Sequence, residues 1–101
     1  AGGTLTGKYN NGIPEGSRLD KNPDVMKVFH GFFQGNKKEK TIEALNKFAD
    51  IAKELGCSMA QLSMAWVILN PDISTAITGV TRPDQLKDTV KCLEILPLLT
   101  V

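Results

Sequence analysis

From Lys38 onward the apolar positions recur at helical spacing. Ile42, Leu45, Phe48, Ala49, Ala52 and Leu55 fall on one side, with charges on the other. Gly56 supplies the left-handed residue that commonly ends a helix. Ser58-Met-Ala-Gln61 then opens a second helix as a capping box, in which hydroxyl and amide each satisfy an orphan backbone N–H. The stripe of this helix is Leu62, Ala65, Trp66 and Leu69, and Asn70-Pro71 ends it because proline cannot continue the hydrogen-bond ladder. Ile73-Ser-Thr-Ala-Ile-Thr78 is short, dense in β-branched residues and bounded by Pro and Gly, which predicts a buried strand. Gly79 breaks it. Thr81-Arg-Pro-Asp84 starts a last helix, with Thr81 as cap and Pro83 in the first turn. Leu86, Val90 and Leu93 form its apolar face, and Leu96-Pro97 closes it.

Residues 1–37 lack such a period. The run AGGTLTGKYNNGIPEGSRLDKNPD holds five glycines and two prolines among Asn, Ser and Asp, a loop and turn composition. A stretch of that length without a periodic face often belongs to a binding loop. Residues 24–33 add a short helix with Val25, Val28, Phe29 and Phe32 on one side. The predicted order is loop, helix, helix, strand, helix, without internal repeat. A single strand cannot satisfy its own N–H and C=O groups, and strand–helix alternation implies a parallel sheet covered by helices. The partner strands are expected before Ala1 or on another chain, so the sequence reads as a piece of an α/β protein.

Composition narrows the partners. The chain has 101 residues, 12 Lys+Arg against 11 Asp+Glu, and a net charge of +1, which projects no field toward nucleic acid or an anionic membrane. Its 42% hydrophobic and 23% charged residues are those of an ordinary globular protein and exclude a disordered charged tail. No apolar run approaches the ~18–20 residues of a membrane span, and the start has neither an initiator Met nor the order of a secretory signal. The segment therefore reads as the middle or end of something longer. Cys57 and Cys92 are too few and too far apart for a disulfide scaffold or metal cluster, and a reducing, cytoplasmic setting is expected.

The strand–Gly–helix junction Thr78-Gly79-Val80-Thr81-Arg82 is the best candidate for chemistry. Thr81 caps a helix whose first N–H groups are unpaired and carry the positive end of the dipole. Gly79 admits an anion close to the backbone, and Arg82 offers a planar fork to a phosphate. An ordinary strand-to-helix turn with a solvent-exposed Arg fits the same residues. The opening Gly2-Gly-Thr-Leu-Thr-Gly-Lys-Tyr9 is a second candidate, although it is not a Walker loop. Arg18 is equally ambiguous. His30, the only histidine, has no recognisable catalytic partner, and Trp66, Met59 and Met64 read as core. No carboxylate pair, metal-ligand cluster or nucleophile–base arrangement is visible.

Three ordered motifs carry a resemblance across essentially the whole chain. Leu5-Thr-Gly-Lys-Tyr-Asn-Asn-Gly-Ile-Pro14 with Ser17-Arg18 resembles the loop after the seventh strand of aldo-keto reductases. Residues 55–66, LGCSMAQLSMAW, resemble a helix motif of that family. Ile77-Thr-Gly-Val-Thr-Arg-Pro-Asp-Gln-Leu86, continued by Leu93-Glu-Ile-Leu-Pro97, resembles the segment spanning strand eight and the cofactor phosphate site. The subgroup it is most similar to is the voltage-gated potassium channel β-subunit type.

The resemblance implies an α/β fold, the C-terminal portion of a (β/α)8 TIM barrel with strand eight and its flanking helices, incomplete as it stands. Residues 1–37 would form the cofactor loop region and 38–101 the helix-helix-strand-helix part, with Ala1 to Gly3 ending strand seven. It implies NADP(H) as cofactor. Leu5, Thr6, Gly7 and Lys8, with Arg18, would fold over the pyrophosphate. Gly79, Thr81, Arg82 and Gln85 would hold the adenosine phosphate, Arg82 as 2′-phosphate partner. Asp88 and Thr89 occupy positions near the adenine that are typically Glu and Asn in the channel subunits. The family's catalytic Asp, Tyr, Lys and His motifs are absent, so the chain alone is expected to be catalytically inert. The complete protein would reduce an aldehyde or ketone. The alternatives are an NADP(H)-binding regulatory subunit of a potassium channel, with homo-oligomerisation, and a truncated product without a function of its own.

Overall fold

The computed structural model describes residues 2–99, and the chain divides between Asp50 and Ile51 into two compact units. The helices are α1 (Arg18–Lys21), α2 (Lys27–Gly31), α3 (Lys37–Glu54), α4 (Met59–Leu69), α5 (Pro83–Val90) and α6 (Cys92–Ile95), with 3-10 turns at Thr4–Thr6 and Leu96–Leu98. Helix α3 runs across the division. Ala1, expected at the end of strand seven, lies outside the described residues.

In the first unit the opening loop is ordered by burial. Tyr9 and Leu19 are sealed from solvent, with Met26, Phe33 and Leu45 also buried. The rings of Tyr9 and Phe33 lie 5.8 Å apart at 51°, a tilted aromatic pair. Gly2 must be glycine on two counts. Its φ is +58°, and a Cβ there would come within 2.5 Å of Met26 Cε and 3.0 Å of Phe29 Cδ2. Thr41 Oγ1 donates to the Phe32 carbonyl at 2.7 Å, which satisfies an acceptor at the end of α2. The structure reverses the expected inward side of α2. Val25, Val28 and Phe32 are exposed, while Met26 and Phe33 are buried. A helix of five residues is too short for period to fix its face, so the flanking turns decide it.

The second unit begins with the end of α3. Cys57 N–H donates to the Ala52 carbonyl at 3.0 Å and Gly56 N–H to Lys53 at 3.1 Å, with Gly56 at φ +72°. These paired bonds form a Schellman motif, as the glycine predicted. Ser58 caps α4: its Oγ accepts from Gln61 N–H at 3.1 Å, and Gln61 Oε1 accepts from Ser58 N–H at 3.0 Å. Helix α4 packs against α5, α6 and the Leu96–Leu98 turn, burying Met59, Leu62, Ala65, Cys92 and Ile95. At its far end Asn70 Oδ1 accepts from Asp72 N–H at 3.0 Å, a turn that finishes the helix beside Pro71.

Three expectations are corrected in this unit. Residues 73–78 form no strand, and no strand occurs among the described residues, so the elements observed are helical where an α/β set was expected. A strand exists only through its neighbours' hydrogen bonds, and here no neighbouring strand offers them. Ile77 is 96% exposed. Trp66, expected in the core, is 67% exposed, because Leu62 and Ala65 already occupy the side of α4 that packs inward. The last helix is broken at Lys91 into α5 and α6. Cys92 and Ile95 turn inward, and Leu86, Val90 and Leu93 are left exposed.

Candidate functional site

The candidate residues fall into two groups, one in each unit. In the first, Gly3 (φ +85°) and Gly7 (φ +94°) bracket the Thr4–Thr6 turn, conformations that glycine adopts without strain. Thr6 closes the turn, its N–H and Oγ1 both donating to the Gly3 carbonyl at 3.1 and 2.6 Å. Leu5 and Thr6 are exposed, Gly7 is half-buried, and Lys8 presents its ammonium to solvent. Thr4 is buried, and its Oγ1 has no hydrogen-bond partner. A buried hydroxyl left unpaired is costly, so this oxygen is in want of a partner, as is the buried Ser17 Oγ.

Arg18 opens α1 with its guanidinium exposed. The local frame is set by Asp20, whose Oδ2 accepts from Gly16 N–H at 2.7 Å. Among the described residues neither Lys8 nor Arg18 is in an ion pair. Both cations are therefore available to an anion.

In the second unit the start of α5 differs from expectation by one residue. Arg82 is the cap (φ −140°, ψ 146°), and Thr81 precedes it. Pro83 holds the first helical position, where its missing N–H costs nothing. Gln85 reaches back instead of a threonine hydroxyl reaching forward. Its Oε1 accepts from Thr81 N–H at 2.9 Å and from Thr81 Oγ1 at 3.2 Å. The proline is the physical reason for the shift, since its fixed φ makes it the natural first residue and leaves the preceding Arg extended. Arg82 Nε donates to Asp84 Oδ1 at 3.2 Å in an exposed pair. Gly79 is exposed and has no positive φ, and nothing lies within 4 Å of the place a Cβ would take. Its virtue is open space beside the helix start, not a special backbone angle.

Along the outer side of α5, Arg82, Asp84, Gln85, Lys87, Asp88 and Lys91 line an open depression of about 510 Å3. Three cations against two carboxylates leave it net basic. Thr89 is half-buried and donates from Oγ1 to the Gln85 carbonyl at 2.8 Å, which firms the helix under the depression. Asp88 is tied to α4. Its Oδ1 and its carbonyl oxygen accept from Gln61 Nε2 at 3.0 and 2.9 Å, and its Oδ2 lies 3.5 Å from Ser58 Oγ. The sequence signals Gln61 as half of a capping box. Nothing in its spacing announces that the same amide also grips α5, because that bond spans 27 residues.

Burial pushes both thiols, Cys57 and Cys92, above the ordinary cysteine value, so they stay protonated near neutrality. Among the described residues no group of His, Cys, Asp and Glu could hold a metal ion, and no helix is long and apolar enough to cross a membrane.

Comparison with known proteins bears on these segments directly. The aldo/keto reductase family model matches residues 1–100. A putative voltage-gated potassium channel subunit beta of Schizosaccharomyces pombe is 38% identical over 97% of this chain and 28% of its own length. A probable voltage-gated potassium channel subunit beta of Oryza sativa is 39% identical over 99% of this chain and 29% of its own length. An L-glyceraldehyde 3-phosphate reductase of Escherichia coli O157:H7 is 32% identical over 99% and 28%. The chain thus spans under a third of the length of the curated relatives it matches. With motifs, order and similarity along nearly its whole length in agreement, the chain belongs to the aldo/keto reductase family.

Proposed function

We propose that this chain is the cofactor-gripping, C-terminal portion of a (β/α)8 barrel of that family, with residues 1–37 as the cofactor loop region and 38–101 as the part around strand eight. Its ligand is NADP(H). Leu5, Thr6, Gly7, Lys8 and Arg18 serve the pyrophosphate. Gly79, Thr81, Arg82 and Gln85 serve the adenosine phosphate, with Asp88 and Thr89 toward the adenine.

The observation that carries this reading is the start of α5. An exposed guanidinium and the open space at Gly79 lie at or just before a helix N-terminus, where backbone dipoles favour negative charge, and Lys87 and Lys91 add positive charge farther along the same depression. The residues present fit a dinucleotide. Arg82 is held only by an exposed pair with Asp84, which a phosphate dianion can outcompete, and the unpartnered Thr4 hydroxyl sits in the glycine loop.

NADPH, when bound, supplies the hydride that reduces a carbonyl carbon. The work of this chain is to bind and orient it, through cations at the phosphates and backbone at the turns. Proton donation belongs to the family's Asp, Tyr, Lys and His, whose motifs this chain does not carry. The substrate is then an aldehyde or ketone, in the cytoplasm, and the 101 residues alone are inert.

A second reading has its own observation. The relatives at 37–39% identity are channel β subunits, whereas the reductases stand at 31–32%. On that reading the same site holds NADP(H) as a structural or sensing ligand of an oligomeric channel subunit. The test of the shared claim is Arg82→Ala in the complete barrel protein carrying this segment. NADPH binding should weaken by more than NADH binding, and equal losses would overturn the 2′-phosphate assignment. Carbonyl reduction by that protein then separates enzyme from ligand sensor.

A further inference from the structure

A single side-chain amide joins the two helix ends that frame the second group of site residues. Gln61 is buried, and every hydrogen-bonding arm that faces protein is used. Its Oε1 accepts from Ser58 N–H at 3.0 Å, and its Nε2 donates to the Asp88 carbonyl oxygen at 2.9 Å and to Asp88 Oδ1 at 3.0 Å. The amide therefore does two things at once. It completes the cap of α4, and it fixes both the backbone and the side chain of one residue on α5.

What it fixes matters for the depression. Asp88 lines it together with Arg82, Gln85, Lys87 and Lys91. The exposed carboxylate of Asp88 could otherwise swing toward any of three cations. Held by Gln61, and beside Ser58 Oγ at 3.5 Å, it stays at the α4 side. Through the backbone bond at Asp88 the same amide sets the axial position of α5 against α4, and with it Gln85, whose side chain holds Thr81 at the helix start. The Thr89 hydroxyl on the Gln85 carbonyl ties the next turn to the same helix.

We infer that Gln61 is a positioning residue for cofactor phosphate binding, which it serves by pinning Asp88 and α5 while it caps α4. The inference rests on the proposed NADP(H) site, and its chemistry explains why an amide is needed there. Glutamate would match its size and could still accept from Ser58 N–H. It would, however, place a carboxylate against the Asp88 carboxylate and carbonyl, where only a donor can pair.

The test uses the complete barrel protein carrying this segment, with NADPH affinity and thermal unfolding measured for Gln61→Glu, Asp88→Asn, the double variant, and Arg82→Ala as reference. Gln61→Glu should weaken NADPH binding about tenfold, the scale of one hydrogen bond to a charged group. Asp88→Asn in the same chain restores a donor opposite the new carboxylate, so, measured against Asp88→Asn alone, Gln61→Glu should then cost little. Normal NADPH binding in Gln61→Glu while Arg82→Ala binds poorly would overturn the positioning role and leave the site standing. A Gln61→Glu loss as large on the Asp88→Asn background as in the parent also overturns it. If Arg82→Ala binds NADPH as the parent does, the site itself is refuted. Should Gln61→Glu fail to fold, Gln61→Met replaces it, with amide exchange across residues 87–90 read alongside affinity. Faster exchange with weaker binding supports the pin, and unchanged binding overturns it.

Discussion

Two stretches of the second unit obey different rules. At the start of α4 the N–H groups of Gly56, Cys57, Ser58 and Gln61 each find a partner within a few residues. Such structure is closed locally, so this stretch adopts what its sequence encodes. Residues 73–78 are the opposite case. Their composition favours a strand, yet a strand's bonds are made to another strand, and among the described residues none exists. The two stretches are equally clear as sequence patterns, and only one is self-sufficient. Local closure, not strength of pattern, decides which stretch takes up its predicted element.

The largest effect that could break this comparison lies in the core under α4. Leu62 is buried against a small set of helices, and Leu62→Ala should cost about 2–5 kcal/mol through lost transfer energy and the residual cavity. Urea unfolding followed by circular dichroism measures it. Ile77→Ser is the matched probe in the other stretch. At 96% exposure it should change stability by less than about 0.5 kcal/mol in this chain. In a complete barrel the same change should cost as much as a core substitution. If Ile77→Ser is as damaging as Leu62→Ala in the chain alone, residues 73–78 are already packed and the contrast collapses.

Trp66 sharpens the same point without mutation. Its indole is 67% exposed, so its fluorescence should be readily quenched by acrylamide in this chain and protected in a complete barrel. Equal quenching in both would mean that this side of α4 faces solvent regardless of context.

A smaller effect belongs to the caps. Ser58→Ala removes an acceptor from Gln61 N–H and should cost about 1 kcal/mol. Gly56→Ala forces a side chain into φ +72° and should cost about 1–2 kcal/mol, with nothing nearby to clash. Neither should alter the Ile77 probe, since each cap is closed within its own turn.

The same principle explains which parts of the molecule were legible in the sequence. The helix over Ile42–Leu55, the Gly56 stop and the Ser58 box were readable because their signals are local. Trp66 reads as core and Leu86, Val90 and Leu93 as an apolar face, yet all four are exposed, since periodicity tells which side is apolar without saying whether anything covers it. The cap of α5 falls at Arg82, one residue after the threonine the sequence favours, because Thr81 is a good cap by type while Pro83 dictates the register. At the candidate site, Arg82, Gly79 and Gln85 could be named from motif resemblance. The Gln61–Asp88 bond could not, since only the fold joins residues 27 apart.

The smallest expected effect concerns pH, and its sign follows from burial. Both thiols are pushed above their ordinary value of 9.0 because the folded chain desolvates them. The unfolded chain therefore loses these protons first as pH rises. Their contribution to stability is complete below about pH 9 and drains away as pH climbs through the folded values. Lys47, raised by its hydrogen bond to Glu43, acts in the same direction but only near and above 10.5, whereas Glu43, lowered by the same bond, matters near and below 4.5. Between about pH 8 and 10 the two thiols should thus dominate the slope among the shifted groups. A Cys57→Ser/Cys92→Ser variant should start from a lower stability yet show a flatter decline across that window. An unchanged slope would mean that the thiols are as well hydrated in the folded chain as in the unfolded one. That result would mean that the α4–α6 packing around Cys92 admits water in the folded chain.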